Sequence, residues 1–260
     1  MLSAIIIARN EEKNIARAVE SLAFADEIIV VDSGSTDNTV KQAQQAGARI
    51  FVRDWTGYGP QKNFGMQQAR GDWVLFVDAD EEVPPPLANS LKEMVQKRPA
   101  PYNLYWLRIV TVFLGKPLRH LFGHNPRLFR KTFARWTSAK VHEQVQRSRD
   151  ASPVQLKDPD TNVIPEPLLH HSHQTISSYL KTMHSYTTLD AEQMFITGRH
   201  RSGRPIRPSF WLPVRLSIKQ FLKLMFYRRG ILDSWQGWVW CCLSAYYEYE
   251  MAKKYLQLCA

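Results

Sequence analysis

The sequence predicts an α/β fold in which a mostly parallel sheet is covered by helices on both faces. Segments typical of strands and of helices alternate four times over the first hundred residues, as in sheets built with right-handed helical crossovers. The fourth strand-like segment, residues 73–77, is apolar at every position, as expected for a strand buried on both faces. Acids follow several of these segments, and such sheets bind ligands beyond the carboxyl ends of their strands.

The elements of this half follow from apolar runs and the turn residues between them. We expect strands at residues 5–8, 27–32, 48–52 and 73–77. We expect helices at residues 13–22, in a segment ending at Ala46, at residues 60–68, and from the prolines at 84–86 to about Arg98, because glycine commonly follows a helix and proline suits its first turn. Neither a Gly-x-Gly-x-x-Gly run after the first strand nor a Walker lysine loop occurs, which excludes the usual dinucleotide and P-loop phosphate sites.

Composition limits the class of partner and the compartment. The formal charge of +10 suits an anionic partner, whether nucleic acid, an anionic membrane surface or a phosphorylated substrate. The three cysteines, Cys241, Cys242 and Cys259, have no paired spacing, so we expect no disulfide framework or zinc site and a reducing compartment. Residues 1–8 lack a preceding basic region and are too short for a signal peptide or a membrane span, so we expect them to form the first strand.

Acidic side chains follow three of the predicted strands. Glu11 follows the first, Asp32 ends the second, and Asp78 and Asp80 end the fourth. An Asp-x-Asp pair in this place can hold Mg²⁺ or Mn²⁺ bridged to a diphosphate, because hard cations prefer oxygen ligands. An isolated pair is more often a solvated acidic turn, and Asp32 is also suited to capping the following helix. The metal-site hypothesis therefore requires that these acids meet at one edge of the sheet.

Three motifs carry a family resemblance. They are residues 8–12 (Ala-Arg-Asn-Glu-Glu), 31–37 (Val-Asp-Ser-Gly-Ser-Thr-Asp) and 77–81 (Val-Asp-Ala-Asp-Glu). In order and spacing they resemble the motifs of the GT-A glycosyltransferases of family 2, most closely the lipopolysaccharide core β-1,4-glucosyltransferases. The resemblance implies a GT-A fold and a nucleotide-sugar donor. The implied donor-binding residues are Ala8, Arg9, Asn10, Glu11, Asp32, Asp78, Ala79 and Arg127.

The resemblance also implies a metal ion and a catalytic base. Asp80, together with His170 in a Leu-His-x-Ser pattern, would bind Mg²⁺ or Mn²⁺. Glu143 matches an acid that follows an Arg-Leu-Phe strand, and sugar transfer needs a base within hydrogen-bond reach of the acceptor hydroxyl. Arg127 or Arg130 would stabilise the departing diphosphate. The sequence departs from the family pattern at Ser33, where many members have a second acid.

Other interpretations of these residues stay open. The His142-Glu143 pair lies in a basic segment and also suits an exposed loop. The histidines at positions 170, 171 and 173 have no cysteine partners, and such a group more often forms a polar turn than a metal site. Residues 150–168 contain four prolines, so we expect an irregular loop there. Residues 103–113 are strand-like.

The C-terminal part predicts two helices with a basic, aromatic surface. No acid occurs between residues 193 and 232, whereas nine basic side chains do. Beyond Pro213, apolar side chains recur at helical spacing, and basic side chains line another face. A second helix, rich in tryptophan and tyrosine, is expected at residues 234–256. Neither segment is apolar over the length of a membrane span. Both suit attachment to an anionic membrane surface, and both alternatively suit packing against each other.

These observations predict a GT-A catalytic domain at residues 1–175, with a nucleotide-sugar half (1–100) and an acceptor half (101–175), and a membrane-facing helical region at residues 176–260. The resemblance implies inverting transfer of a hexose, glucose from UDP-glucose, to a sugar of a lipid-linked anionic acceptor, the lipopolysaccharide inner core, at the cytoplasmic face of the inner membrane.

A polyprenyl-phosphate acceptor is the enzymatic alternative. A basic nucleic-acid-binding module or a non-catalytic membrane adaptor is the alternative of another class. We expect no nucleic-acid partner, because acids at successive strand ends would repel its phosphates.

Overall fold

The computed structural model describes residues 1–97, 100–138, 143–173 and 175–259. The chain divides into two compact units: unit 1 is Met1–Val110 with Gly123–His171, and unit 2 is Thr111–Phe122 with Ser172–Ala260. The strands are β1 (Leu2–Ala8), β2 (Glu27–Asp32), β3 (Arg49–Val52), β4 (Trp73–Asp78), β5 (Glu81–Glu82), β6 (Leu104–Phe113), β7 (Lys116–Arg130), β8 (Ala134–Trp136), β9 (Val145–Arg147) and β10 (Thr161–His173). The α-helices are α1 (Ile15–Glu20), α2 (Thr39–Gln45), α3 (Tyr58–Gln68), α4 (Pro85–Gln96), α5 (Ile176–Thr197), α6 (Leu212–Leu222) and α7 (Ser234–Cys259).

Eight strands form one sheet in the order β3-β2-β1-β4-β7-β6-β10-β5. The strands β1 to β4 are paired in parallel, whereas β7 joins β4 and β5 joins β10 in antiparallel pairing. Ala8 is paired beside Asp32, and Ile7 is paired beside Asp78. The carboxyl ends of β1, β2 and β4 therefore lie at one edge of the sheet, as the metal-site hypothesis requires.

The central strand β4 is buried on both faces. Trp73, Leu75 and Val77 belong to one core, with side chains from α1, α2 and α4. Val74 and Phe76 belong to a second core, with side chains from α3 and β8. Each of these five β4 residues is at most 1% exposed. The predicted apolar run and its helical covering are thus confirmed.

Two glycines let helix α3 approach its neighbours closely. A Cβ atom on Gly65 would lie 2.5 Å from Ile5 Cγ2 and 3.1 Å from Val31 Cγ2. A Cβ atom on Gly59 would lie 1.8 Å from the carbonyl oxygen of Thr137. The glycines therefore set the position of α3 between the sheet and the segment after β8.

Strand β10 corrects two expectations. Residues 161–168, expected to belong to an irregular loop, begin this strand and include Pro165 and Pro167. The backbone N–H of His171 donates to the carbonyl oxygen of Asp80, and residues two apart in a strand direct their N–H groups to the same side. Strand β5 pairs with β10 only near the carboxyl end of β10, at Leu169 and His170. The missing N–H groups of the two prolines therefore cost no hydrogen bond between strands on that side. The histidines consequently lie in a strand, and the expected polar turn is wrong.

Unit 2 is built around three helices. The predicted helices are confirmed as α6, which continues as a π-helical turn at Lys223–Tyr227, and as α7. Helix α5 was not predicted; its Ala191 and Met194 pack with Leu212, Met251 and other side chains of α6 and α7. No helix in the described part of the chain combines the length and apolar composition that a membrane crossing requires.

We expect Gly65→Ala to lower the free energy of unfolding by about 1–3 kcal/mol, because the added methyl group overlaps Ile5 in a close-packed core. Gly123→Ala is the matched control, since a Cβ there meets nothing within 4 Å. Urea denaturation of the three proteins measures the difference. Equal stability of the Gly65→Ala protein and the wild type would contradict the close approach of α3.

Candidate active site

The loops after β1 and β2 are fastened to each other. The backbone N–H of Asn10 donates to Ser35 Oγ at 2.8 Å, and that of Glu11 donates to Thr39 Oγ1 at 2.7 Å. In return, the backbone N–H of Thr36 donates to Asn10 Oδ1 at 2.8 Å. Asn10 has a φ of 55°, in the left-handed region that asparagine tolerates better than most residues. The predicted donor loop is thus held in place by the protein's own contacts.

Asp32 is fully buried and organises the turn after β2. Its Oδ2 accepts hydrogen bonds from the N–H groups of Gly34 at 2.9 Å and Ser35 at 2.8 Å, and its Oδ1 accepts from the Ser35 hydroxyl. Gly34 has a φ of 80°, which favours glycine at this point of the turn. The turn-forming role considered for Asp32 is therefore present, and its contact with a nucleotide stays a prediction.

Arg127 lies buried between two carboxylates at the end of β4. Its Nη2 donates to Asp78 Oδ2 at 2.7 Å and to Glu81 Oε1 at 2.6 Å. The antiparallel pairing of Leu128 with Leu75 brings Arg127 to this position. Glu81 is only 1% exposed, so the solvated acidic turn considered from the sequence is wrong for this residue. Two acids of the motif are instead held by a buried guanidinium.

The three groups affect one another's ionisation. Burial raises the pKa of Glu81 to about 7, against the opposing effect of Arg127. Burial acts in the same direction on Asp78, but Arg127 and Lys62 outweigh it and hold the pKa of Asp78 below its usual range. For Arg127, burial is outweighed by the charges of Asp78 and Glu81, which raise its pKa. At neutral pH, Asp78 is therefore an anion and Arg127 a cation.

Asp80 and His170 form the pair that could hold a metal ion. His170 Nε2 lies 3.1 Å from Asp80 Oδ2, and both side chains are about one-third exposed. Burial alone would lower the pKa of His170, but the hydrogen bond and charge of Asp80, with the charges of Glu81 and Asp78, raise it to about 9. Within the described residues, no three His, Cys, Asp or Glu side chains are grouped to hold a metal. Asp80, with His170 once its ring has lost a proton, would hold Mg²⁺ or Mn²⁺, and phosphate oxygens and water would supply the further ligands.

Lys62 joins the acidic motif to Glu143 and was missed by sequence reasoning. Its side chain is buried, with Nζ 2.7 Å from Glu143 Oε1 and 3.8 Å from Asp78 Oδ1. The ammonium group also lies over the ring of Trp136, 4.3 Å from its centroid. The side chain of Glu143 is 15% exposed, so the exposed-loop interpretation does not describe it. His142 lies outside the described residues.

The remaining donor residues divide by their exposure. Ala8 and Ala79 are buried in the core beside the site, so a donor could contact only their main chain, whereas Arg9 is exposed. Burial raises the pKa of Glu11, as do the charges of Asp80 and Asp37, although its hydrogen bond with Asn14 lowers it.

Arg130 lies away from these groups. It is paired with Trp73 at the start of β4, five residues before Asp78, or about 16 Å along a strand. The expectation that Arg130 could stabilise a diphosphate at Asp78 and Asp80 is therefore wrong.

We expect Arg127→Met to lower the free energy of unfolding by about 3–5 kcal/mol, because it leaves the buried carboxyl of Glu81 without a cation. The loss should grow as the pH rises above 7, since an unpaired buried Glu81 folds only with its proton and deprotonation then opposes folding. Denaturation on both sides of the Glu81 pKa tests this. Arg135→Met is the control, because Arg135 is exposed; a loss as large in the control would contradict the role of Arg127.

Residues 3–149 match the model of Glycosyl transferase family 2. An uncharacterized glycosyltransferase of Rickettsia felis is 30% identical over 92% of this chain and 83% of its own length. The lipopolysaccharide core biosynthesis glycosyltransferase LpsC of Rhizobium meliloti is 29% identical over 98% of this chain and 92% of its own. Among solved structures, glucosyl-3-phosphoglycerate synthase from Mycobacterium tuberculosis, in complex with Mn²⁺, uridine diphosphate and phosphoglyceric acid, is 28% identical over 42% of this chain and 43% of that chain, with a TM-score of 0.36. The matched family, with the sheet and motifs described above, confirms the resemblance: the chain is a glycosyltransferase of family 2 with the GT-A fold.

Proposed function

We propose that this glycosyltransferase moves a hexose, glucose from UDP-glucose, with inversion onto a sugar hydroxyl of an anionic, lipid-linked acceptor, the lipopolysaccharide inner core, at the cytoplasmic face of the inner membrane. The observation that carries the proposal is the meeting of Asp32, Asp78 and Asp80 at one edge of the sheet, with Glu143 joined to Asp78 through Lys62. Similarity to LpsC over nearly the whole chain supports the acceptor class. Glucose and UDP rest on the motif resemblance.

On the donor side, Asp80 and His170 are the residues that would hold Mg²⁺ or Mn²⁺. Such a cation, when bound, offsets the charge that develops on a departing nucleoside diphosphate. The guanidinium of Arg127 is already shared by Asp78 and Glu81. We therefore propose a positioning role for Arg127, which holds the acidic motif at the strand end, in place of the donor contact implied by the resemblance.

On the acceptor side, Glu143 would serve as the base. The acceptor oxygen forms a bond to the anomeric carbon while the bond from that carbon to the diphosphate breaks, and the hydroxyl proton passes to a Glu143 oxygen. Lys62 fixes this carboxylate through the contact of 2.7 Å. Because Lys62 also faces Asp78, it sets the distance between the donor-side and acceptor-side groups. Lys62 is thus a positioning residue of the reaction.

We expect Glu143→Gln to lower turnover by about 10²-fold or more, the contribution typical of a general base, while affinity for the donor is kept. Glu20→Gln on α1 is the control, because Glu20 is exposed. Initial rates and donor titrations of the two variants separate the effects. Turnover equal to wild type in Glu143→Gln would remove Glu143 from this role.

The donor and the metal can be identified by ligand-induced thermal stabilisation. We expect UDP-glucose with Mn²⁺ or Mg²⁺ to raise the melting temperature more than other nucleotide sugars do, and we expect chelation of the metal, Asp80→Ala or His170→Ala to remove the effect. His171→Ala is the matched control, since the imidazole of His171 contacts Glu82, and its contact with Asp80 is made by the backbone N–H, which the substitution keeps. Stabilisation that persists in Asp80→Ala would contradict the metal site.

The acceptor is tested by offering the enzyme and labelled donor either truncated lipopolysaccharide or a polyprenyl phosphate. We expect transfer to the truncated lipopolysaccharide. Transfer to the polyprenyl phosphate alone would replace the proposed acceptor with its enzymatic alternative while leaving the donor site intact.

A further inference from the structure

Unit 2 has a surface of large apolar side chains that its own packing does not cover. We name it the exposed stripe, and it consists of Trp211, Val214, Ile218, Leu222, Phe226 and Trp238. These side chains are between 40% and 67% exposed. The first five are the N-cap residue of α6, three residues of α6 and one of its continuation, at intervals of three or four residues, which places them on one helix face. Trp238 of α7 lies beside them, because its ring contacts Phe221, which directly precedes Leu222 of the stripe.

Other side chains of α6 and its continuation are buried in the usual way. Leu212 is fully buried with residues of α5 and α7, and Leu216 packs against the same cluster. Phe221 and Met225 belong to a second cluster with the β6–β7 hairpin and α7. The expectation that α6 and α7 pair with each other is therefore correct for this inner face. It leaves the exposed stripe unexplained, because those side chains belong to neither cluster.

The charges beside the exposed stripe have a single sign. Arg215, Lys219 and Lys223 each directly follow a residue of the stripe and are exposed. Because no Asp or Glu occurs between residues 193 and 232, no acid of this segment offsets them. A second copy of the chain on a two-fold axis would set these cations against the same cations, which is repulsive. A nucleic acid would neutralise the cations but leave the apolar side chains in water.

We propose that the exposed stripe binds the surface of a bilayer rich in anionic phospholipid. Helix α6 would lie in the plane of the interface, with the stripe among the upper acyl chains and the three cations at the lipid phosphates. Tryptophan suits this depth because its ring is apolar and its N–H group can remain near water. The inference stands on this surface alone and does not depend on the proposed reaction.

The test is co-sedimentation of the full chain with vesicles. We expect the wild type to sediment with vesicles of phosphatidylethanolamine and phosphatidylglycerol and to remain in solution with vesicles of phosphatidylcholine. Changing Trp211, Ile218 and Leu222 to Ser, or Arg215, Lys219 and Lys223 to Glu, should each reduce the bound fraction about tenfold or more. Circular dichroism confirms that both variants are folded.

Two matched controls make the result specific. Phe195→Ser with Ile196→Ser removes apolar side chains of α5 that are 53% and 77% exposed, and we expect binding to be unchanged. Changing Lys41, Lys92 and Lys181 to Glu alters the net charge as much as the α6 variant does, and all three are exposed; here too we expect binding to be kept.

The proposal is overturned if the wild type does not sediment with anionic vesicles or if both α6 variants bind them as well as the wild type. It is also overturned if the control charge variant loses as much binding as the α6 charge variant does. It is also overturned if the wild type is a dimer that binds no vesicles and the Trp211 variant is a monomer, since the stripe would then join two copies.

Discussion

The site depends on one buried guanidinium. Arg127 is shared by Asp78 and Glu81, and removing a charged group from water is costly unless opposite charges and hydrogen bonds compensate. Arg127 follows Asp78 by 49 residues and belongs to the antiparallel strand β7. The buried cation that holds Asp78 and Glu81 is therefore in place only when β7 is paired beside β4.

Charges of alternating sign extend from this guanidinium through the site. Arg127 contacts Asp78, Asp78 faces Lys62, and Lys62 contacts Glu143. These contacts fix the relative positions of four parts of the chain: β7, β4, α3 and the segment before β9. The ammonium group of Lys62 lies over the ring of Trp136, and a cation over an aromatic face is stabilised by the ring quadrupole. The groups proposed to bind the donor and to activate the acceptor are thus positioned by the same chain of ion pairs.

The sequence predicted what depends on local pattern. Strands β1 to β4 and the acids after them follow from apolar runs and turn residues, and α6 and α7 from helical spacing. Lys62 could not be found this way, since its partner Glu143 is 81 residues distant. Helix α5 has Thr187 and Asp190 on its buried face, which weakens its apolar period. Strand β10 was not predicted because it contains Pro165 and Pro167. These prolines are compatible with the strand because their nitrogens face the side of β5, which pairs with β10 only at Leu169 and His170.

The hydrogen bonds between the loops after β1 and β2 have a consequence for ligand recognition. Ordering a free loop costs roughly 1–2 kcal/mol per residue in backbone entropy, and a ligand that must impose order forfeits that much of its contact energy. Here the Asn10 and Asp32 turns are held by hydrogen bonds within the protein itself. A nucleotide bound there would contact loops that are already ordered. Discrimination among bases would then depend on steric and hydrogen-bond fit and not on closure of these loops around the ligand.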